Sequence, residues 1–404
     1  MKLSEELAWR GFVNQTTIKD LSILDAEPIS FYWGVDPSAD SMQIGNLAAA
    51  MMVRRFIDHG HKAYLLVGGA TGMIGDPDGK AQERDLRTFD EINNNKNAIA
   101  RQYSQVFSGK EFTIVDNYDW FKDINYIDFL RTVGKNVPLS QMLGRDFVQA
   151  RVGETGAGIS YAEFSYSLIQ GFDFVHLNRE FGVILQLCGA DQWGNSVTGV
   201  DLLRRMDGKE AHVYSTPLIV NKTTGIKFGK SEDGAVWLDE AKTSVYKFYQ
   251  FWLNTDDAGV VDYLKIFTLL TPEEIDGLAK QHAENPSARI AQKALAVNVT
   301  DLVHGEERRK SVERVTGVLF GYLPFTELSD EDIEALASEI QTVAVGKSVI
   351  DTLVESGAAT SNGEARRLIE SGAVSVNGEK LAEDTTIEAR SLIKKGKNSF
   401  VLVK

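Results

Sequence analysis

The sequence predicts an α/β fold: a domain built on a parallel sheet, then an all-helical region, then a small α+β module. Three observations carry this. A strand–helix–strand unit occupies roughly residues 29–67, helical apolar spacing takes over beyond Asn221, and an Asn377-Gly378 pair separates strand-like residues in the last stretch.

Residues 29–35 form a short apolar and aromatic run suited to a buried strand, closed by the turn-forming Asp36-Pro37. Over 44–59 the pattern is helical, with Leu47, Met51, Met52 and Phe56 near one face and Gly60 ending it. Residues 63–67 read as a second strand running into the Gly-rich stretch 68–79. Strand, helix and strand at this spacing make a parallel crossover, the unit of doubly wound sheets. Beyond Asn221, residues 246–253 and 260–269 have helical spacing, and Thr271-Pro272-Glu273-Glu274 has the form of a helix start. That region, to about Gly321, reads as all-helical. An acidic stretch over 327–339 leads to the last unit, where 363–370 reads as a helix and 373–381 as a hairpin turning at Asn377-Gly378. The expected division is 1–220, 221–325, a linker over 326–345, and 346–404.

Composition bounds the function. The 404 residues suffice for two or three cores, and none of the apolar runs is long enough to span a bilayer. The first ten residues mix Lys2, Glu5, Glu6 and Arg10 with apolar residues and lack the apolar core of a secretory signal. One cysteine, Cys188, cannot form an internal disulfide, which suits a reducing compartment; the expected location is cytoplasmic. The scattered histidines give no zinc site, so no protein-bound structural metal is expected. A net charge of −14 argues against phosphate binding by the chain as a whole. Residues 342–404, however, carry nine Lys/Arg against eight Asp/Glu, so the acidity lies elsewhere.

Three segments carry candidate chemistry. The first, Pro37 to Asn46, joins the first strand to its helix. A helix N-terminus offers unpaired N–H groups and a positive dipole end, which suits phosphates. There Gly45 permits close approach, and Ser38, Gln43 and Asn46 are neutral donors. A plain polar loop explains the same spacing. The second, Lys227-Phe228-Gly229-Lys230-Ser231, places two lysines and a hydroxyl around a glycine, a cationic clamp for polyphosphate or an ordinary basic loop. Lys80 and Arg84 offer a second such clamp. In the third, Tyr166, Gln170 and Asp173 recur at i, i+4 and i+7 of a helix that is otherwise apolar nearly all round. A buried polar stripe needs partners, and a polar ligand can supply them; the competing reading is a stripe facing water.

Several segments together resemble the bacterial tyrosyl-tRNA synthetases of class I. They are Tyr32-x-Gly34-x-Asp36-Pro37, Val67-Gly68-Gly69-Ala70-Thr71-Gly72-Met73-Ile74-Gly75-Asp76-Pro77, Glu163-Phe164-Ser165-Tyr166, Asp191-Gln192-Trp193-Gly194-Asn195, and the Lys227 to Ser231 loop. The resemblance implies a Rossmann-like nucleotide-binding domain, a helical anticodon-side domain opening with the Lys-Ser loop, and an RNA-binding module. It implies activation of L-tyrosine with ATP and Mg²⁺, then transfer to tRNA(Tyr) by a homodimer with no membrane partner. By position, Tyr32 and Asp173 would hold the substrate phenol, and Asp76, Tyr166 and Gln170 its ammonium, with Gln186 and Gln192 nearby. Gly34, Asp36, Gly45, Gly189, Asp191 and Lys230 match the ATP pocket. Ser38, Gln43, Asn46, Lys227, Lys230, Ser231, Lys80 and Arg84 match the groups acting on the phosphates. The stretches from Ser361 to Ile369 and Gly372 to Gly378 resemble the small RNA-binding module named for ribosomal small-subunit protein four. Its candidate contacts are Arg366, Arg367, Lys394, Lys395 and Lys397.

Three positions depart from the family: Gln43 stands where the first histidine of His-Ile-Gly-His is usual, Trp33 where a small Cys is common, and Ala190 where Ser is usual. They motivate an alternative, a synthetase-derived paralogue with weakened or altered ATP chemistry acting as an RNA-binding or regulatory protein. A tryptophanyl-tRNA synthetase shares the fold, but Tyr32 with Asp173 and the C-terminal module speak against it. A lone nucleotidyltransferase would not need the last two domains.

Overall fold

The computed structural model describes residues 1–77, 85–152, 158–231, 234–397 and 399–404, and at 146, 147, 230 and 231 the backbone alone. The chain forms two compact units, one from residues 1–243 with 251–303, the other from 244–250 with 304–404.

The first unit is built on five parallel strands: β1 (Ser30–Val35), β2 (Lys62–Val67), β3 (Thr113–Asp116), β4 (Leu185–Gly189) and β5 (His212–Thr216). Their order, β3-β2-β1-β4-β5, reverses direction of progression at β1. That switch point opens a crevice at the carboxyl ends of β1 and β4, where ligands bind in open α/β sheets. Register makes the opening explicit. β1 pairs with β2 along its whole length, but with β4 only at Phe31↔Leu185 and Tyr32↔Gln186. Beyond that last pair the two strands part.

Helices cover both faces. Alternation along β1 sends Tyr32 into the core beneath the helices Tyr161–Phe181 and Trp193–Asp207, together with Phe174, Leu177, Leu202 and Leu203. Phe31 and Trp33 point the other way, against Phe56 of the Ile44–Asp58 helix and Tyr103 of the Phe89–Val106 helix. The Tyr161–Phe181 helix is capped by Ser160, whose hydroxyl accepts from Glu163 N at 3.2 Å, and ends at left-handed Gly182. It crosses the Trp193–Asp207 helix at Gly171 and Gly199. A Cβ at Gly199 would lie 3.0 Å from Phe174 Cβ, so glycine there permits the close crossing.

After β5 the chain does not turn helical at once. Lys230–Ser231 pairs antiparallel with Gly234–Ala235, ahead of the helices Val260–Phe267, Pro272–Glu284 and Ile290–His304. Gly229 and Gly234 take φ of +94° and +110°, a backbone no helix accepts, so the helical region begins beyond the Lys-Ser loop that opens it. The helix start at Thr271 forms as expected. Glu274 N donates to Thr271 Oγ1 at 3.3 Å, and Thr271 N donates back to Glu274 Oε2 at 2.8 Å.

In the second unit, strands at 379–380, 374–376, 391–395, 399–403 and 341–343 form one sheet in that order. The turn at Asn377-Gly378 has φ of +49° and +90°, the left-handed pair that a two-residue hairpin loop requires. Val349–Glu355 and Asn362–Glu370 pack on one face of this sheet through Val349, Leu353, Ala365, Ile369 and Ile393, and Glu306–Leu319 and Asp330–Ala337 form a second cluster with Leu392 and Leu402.

Candidate active site

The crevice at the switch point is a cleft of about 750 Å³ lined by residues of all three candidate segments. Its inner end is built by β1, β4 and the Tyr161–Phe181 helix. Tyr32 is 2 % exposed and Asp173 1 %, and both line this cleft. The expected polar stripe of Tyr166, Gln170 and Asp173 faces the cleft rather than bulk water.

Hydrogen bonding at this end is incomplete. Tyr32 Oη, Gln170 Oε1 and Gln186 Oε1 are buried without a partner among the described residues. Unpaired buried polar atoms cost about 1–3 kcal/mol each, so several around one cavity point to a ligand that satisfies them. Tyr32 sits edge-on to Phe174 at 5.2 Å, which fixes its ring. Burial, and then the Asp173 charge, pushes its phenol well above the ordinary value. Burial likewise lifts the Asp173 carboxyl well above the usual carboxylate range, although hydrogen bonds from Asn117 and Trp120 oppose this. Those bonds run from Asn117 Nδ2 to Oδ2 at 3.1 Å and from Trp120 Nε1 to Oδ1 at 3.0 Å.

Toward the middle of the cleft, Tyr166 Oη donates to Asp36 Oδ2 at 2.7 Å and Thr71 Oγ1 donates to Asp36 Oδ1 at 2.6 Å. Burial, with Asp36 and Asp76 nearby, raises the Tyr166 phenol far above its usual value. Asp76 accepts from Gln192 Nε2 and, at 3.5 Å, from Asn195 Nδ2, whose carbonyl in turn accepts from Arg145 at 2.6 Å. The inner half of the cleft thus presents three carboxyl groups (Asp36, Asp76 and Asp173), two amide oxygens and two phenols, a set suited to an ammonium and a hydroxyl at the two ends of an apolar ring. Cys188 also lines the cleft, but burial holds its thiol at about 12, so it is no nucleophile.

The outer end is the start of the Ile44–Asp58 helix. Asn46 Oδ1 accepts from Gln43 N at 3.0 Å, closing one side of the cap. Gly45 is exposed, and a Cβ there would meet nothing within 4 Å, so a phosphate has room against the backbone. Gly34, Ser38, Gly189 and Asp191 line the same end. Lys227 is half exposed, with Nζ 3.8 Å from Asp191 Oδ2 across the mouth. The side chains of Lys230 and Ser231, and Lys80 and Arg84 entirely, lie outside the described residues. Among the described residues no group of three or more His, Cys, Asp and Glu is placed to hold a metal ion, and no helix is long and apolar enough to cross a membrane.

Known proteins give the same answer. Residues 24–321 match the family described as tRNA synthetases class I (W and Y), and residues 332–404 match the tyrosine–tRNA ligase SYY-like C-terminal domain. The tyrosine–tRNA ligase of Staphylococcus haemolyticus is 43 % identical over 418 residues, covering 99 % of this chain and 98 % of that protein. The chain belongs to the class I tyrosyl-tRNA synthetases. Tyrosine–tRNA ligase 2 of Bacillus cereus is also 43 % identical, over 422 residues, 100 % of this chain and 99 % of that one. Among solved structures, a C-terminally truncated mitochondrial tyrosyl-tRNA synthetase of Aspergillus nidulans superposes with a TM-score of 0.70 at 29 % identity, covering 77 % of this chain and 92 % of that one.

For this synthetase, sequence reasoning named the groups facing the cleft but missed those behind them. Thr71, Asn117, Trp120 and Asn195 hold Asp36, Asp173 and Asp76 in place, and no periodicity marks them. Thr71 and Asn195 fall inside the family-like segments 67–77 and 191–195 without a role having been given to them; for Asn117 and Trp120 the one available signal was position, just past the carboxyl end of β3, where sites form. In the C-terminal unit, Arg366, Arg367 and Lys397 are exposed. Lys395 instead bonds its own fold through the Ala358 carbonyl, and Lys394 lies over the Phe400 ring at 5.3 Å.

Proposed function

We propose that the chain is a tyrosine–tRNA ligase that activates L-tyrosine with ATP, releasing pyrophosphate, and transfers the tyrosyl group to tRNA(Tyr). The observation that carries this is the set of orphaned polar atoms, Tyr32 Oη, Gln170 Oε1 and Gln186 Oε1, around a cleft that also holds Asp173. A tyrosine laid inward gives Tyr32 and Asp173 its phenol and gives Gln170, Tyr166 and Asp76 its ammonium. Phenylalanine would leave the buried phenol partners unpaired, which is how a site rejects an analogue lacking one hydroxyl.

The substrate carboxylate then attacks the α-phosphorus of ATP, and the bond to pyrophosphate breaks. The protein supplies no nucleophile. It aligns the reactants and stabilises charge on the departing phosphates through the helix N-terminus at Gln43 to Asn46, with Ser38 and the Lys227 loop. Lys230, Ser231, Lys80 and Arg84 complete this set on the family pattern. Mg²⁺ arrives with ATP as part of the substrate. Residues 1–220 carry the chemistry together with the Lys227 loop that opens 221–325, the rest of 221–325 serves the anticodon side, 326–345 link onward, and 346–404 grip RNA through the exposed Arg366, Arg367 and Lys397. The cytoplasm, where tRNA is charged, is the place of work.

A homodimer suits the surface. Tyr126, Ile127, Leu139 and Tyr161 are each more than half exposed, and the Tyr126 and Tyr161 hydroxyls lie 3.3 Å apart, so at least these two rings share one face. Sedimentation should give twice the chain mass.

The deciding assay is amino-acid-dependent exchange of labelled pyrophosphate into ATP, run with tyrosine, phenylalanine and tryptophan. Exchange with tyrosine alone is expected. No exchange with RNA binding retained would favour the RNA-binding paralogue, and preference for tryptophan would favour the neighbouring specificity.

A further inference from the structure

Asp173 and Asp36 sit at opposite ends of the inner cleft, yet one chain of hydrogen bonds joins them. Tyr166 Oη and Thr71 Oγ1 donate to the two oxygens of Asp36, at 2.7 and 2.6 Å. Thr71 Oγ1 accepts from Asn117 Nδ2 at 3.0 Å, and the same amide nitrogen donates to Asp173 Oδ2 at 3.1 Å. Trp120 closes the chain on Asp173 Oδ1. Thr71 is 2 % exposed, Asn117 0 % and Asp173 1 %, so water does not compete along it.

We propose that Thr71 is a positioning residue for phenol selection, its hydroxyl holding Asn117 in the one orientation that presents an amide N–H to Asp173. This rests on the ligase reading above. Every proton direction in the chain is set by its neighbours. The Asp36 carboxylate accepts, so the Thr71 O–H points at it and leaves lone pairs for a donor. The Ala70 backbone N–H donates to Asn117 Oδ1 at 2.6 Å, which fixes the amide the other way round and turns its NH₂ toward Thr71 and Asp173. Two protein donors then occupy the inner lone pairs of Asp173, and its remaining capacity faces the cleft beside the unpartnered Tyr32 hydroxyl. A ligand hydroxyl fits between them.

The geometry separates two effects. Tyr166 lies where any amino acid places its common ammonium and Asp36 on the nucleotide side, so harm through that branch falls equally on tyrosine and phenylalanine. Only the Asn117–Asp173 branch meets the phenolic hydroxyl. The ratio of kcat/KM for the two amino acids therefore reports the chain of bonds and not general damage.

The test is Thr71→Val, which keeps the shape and removes the hydroxyl, beside Thr71→Ser, which keeps the hydroxyl. Pyrophosphate exchange is measured with tyrosine and with high phenylalanine, after thermal unfolding has shown both variants folded. If Thr71→Val does not fold, Thr71→Ala is read the same way. Expected is a tyrosine-to-phenylalanine ratio narrowed about tenfold by Thr71→Val, the scale of one weakened hydrogen bond to a charged group, and restored to within about twofold by Thr71→Ser. An unchanged ratio in Thr71→Val, or a Thr71→Ser variant as impaired as Thr71→Val, overturns the proposal. Wild type silent with tyrosine would sink the ligase reading and this proposal with it. An active wild type with an indifferent Thr71→Val sinks the proposal alone.

Discussion

Tyr32→Phe separates binding from stability more cleanly than any other change in the cleft. The hydroxyl it removes has no partner among the described residues, while the ring it keeps is packed edge-on against Phe174. The folded protein thus loses no internal hydrogen bond. It sheds instead an unpaired buried group, which by itself is worth about 1–3 kcal/mol of relief, offset in part by the small void left behind. The unfolding midpoint should therefore hold or rise slightly. Tyrosine binding, by contrast, loses one neutral hydrogen bond of about 0.5–1.5 kcal/mol, so kcat/KM for tyrosine should fall about two- to twelvefold. Phenylalanine has no hydroxyl to lose, and its kcat/KM should hold or improve. Exchange kinetics with both amino acids, beside a thermal melt, measure all three numbers. A variant that melts earlier while discriminating as before would mean that Tyr32 is a structural tyrosine and that the phenol is read elsewhere.

Other expectations follow from the same structure. Glu163→Ala strands a buried guanidinium: Arg151 bonds both carboxylate oxygens, at 3.0 and 2.7 Å, with the two side chains 6 % and 2 % exposed. Denaturant unfolding should show a loss of about 3–5 kcal/mol. In the C-terminal unit burial pushes Asp332 up, but paired bonds from Arg314 and bonds from Ser311 and Ser329 outweigh it and hold the carboxyl at about 2, against an ordinary 3.8. A lowered carboxyl contributes stability that is complete above its unfolded value and is lost as pH falls through the folded one. An acid titration followed by circular dichroism should therefore weaken this unit between about pH 4 and pH 2, and Asp332→Asn should flatten that window. Gln43→His should speed tyrosine activation by about tenfold at a pH where the imidazole is charged, the difference between a charged and a neutral hydrogen bond to phosphate. An unchanged rate would mean that residue 43 does not reach the phosphates.

Much of this was legible in the sequence, for physical reasons. The strands at 30–35 and 62–67, the helix between them and the Asn377-Gly378 hairpin are set by local terms: apolar period, a capping group, a left-handed turn. Local terms are visible in a single chain. The polar stripe of the Tyr161–Phe181 helix was legible as a spacing, since polar groups at i, i+4 and i+7 share one face, but whether that face met a cavity or water was decided only by the fold. Invisible were the partners that arrive from far along the chain. Asn117 and Trp120 reach Asp173 across more than fifty residues, and Thr71 reaches Asp36 across thirty-five. Such contacts depend on how β1, β2 and β3 lie side by side, which no pattern within one segment encodes.

Strand alternation also decides what the odd residue at position 33 does. A tryptophan beside Tyr32 would block the inner cleft if both side chains shared a face. Successive residues of a strand point to opposite faces, so the indole packs on Tyr103 at 5.4 Å and Phe107 at 6.4 Å, on the far side of β1 from Asp173. Trp33 still contributes to the cleft wall, but its bulk is taken up by the Phe89–Val106 helix. The unusual residues at 33 and 43 therefore differ in kind. One is absorbed by packing and leaves the inner end of the cleft untouched. The other sits at a helix N-terminus with open space beside it, where a lost charge has no neighbour in the strand pattern to make it good.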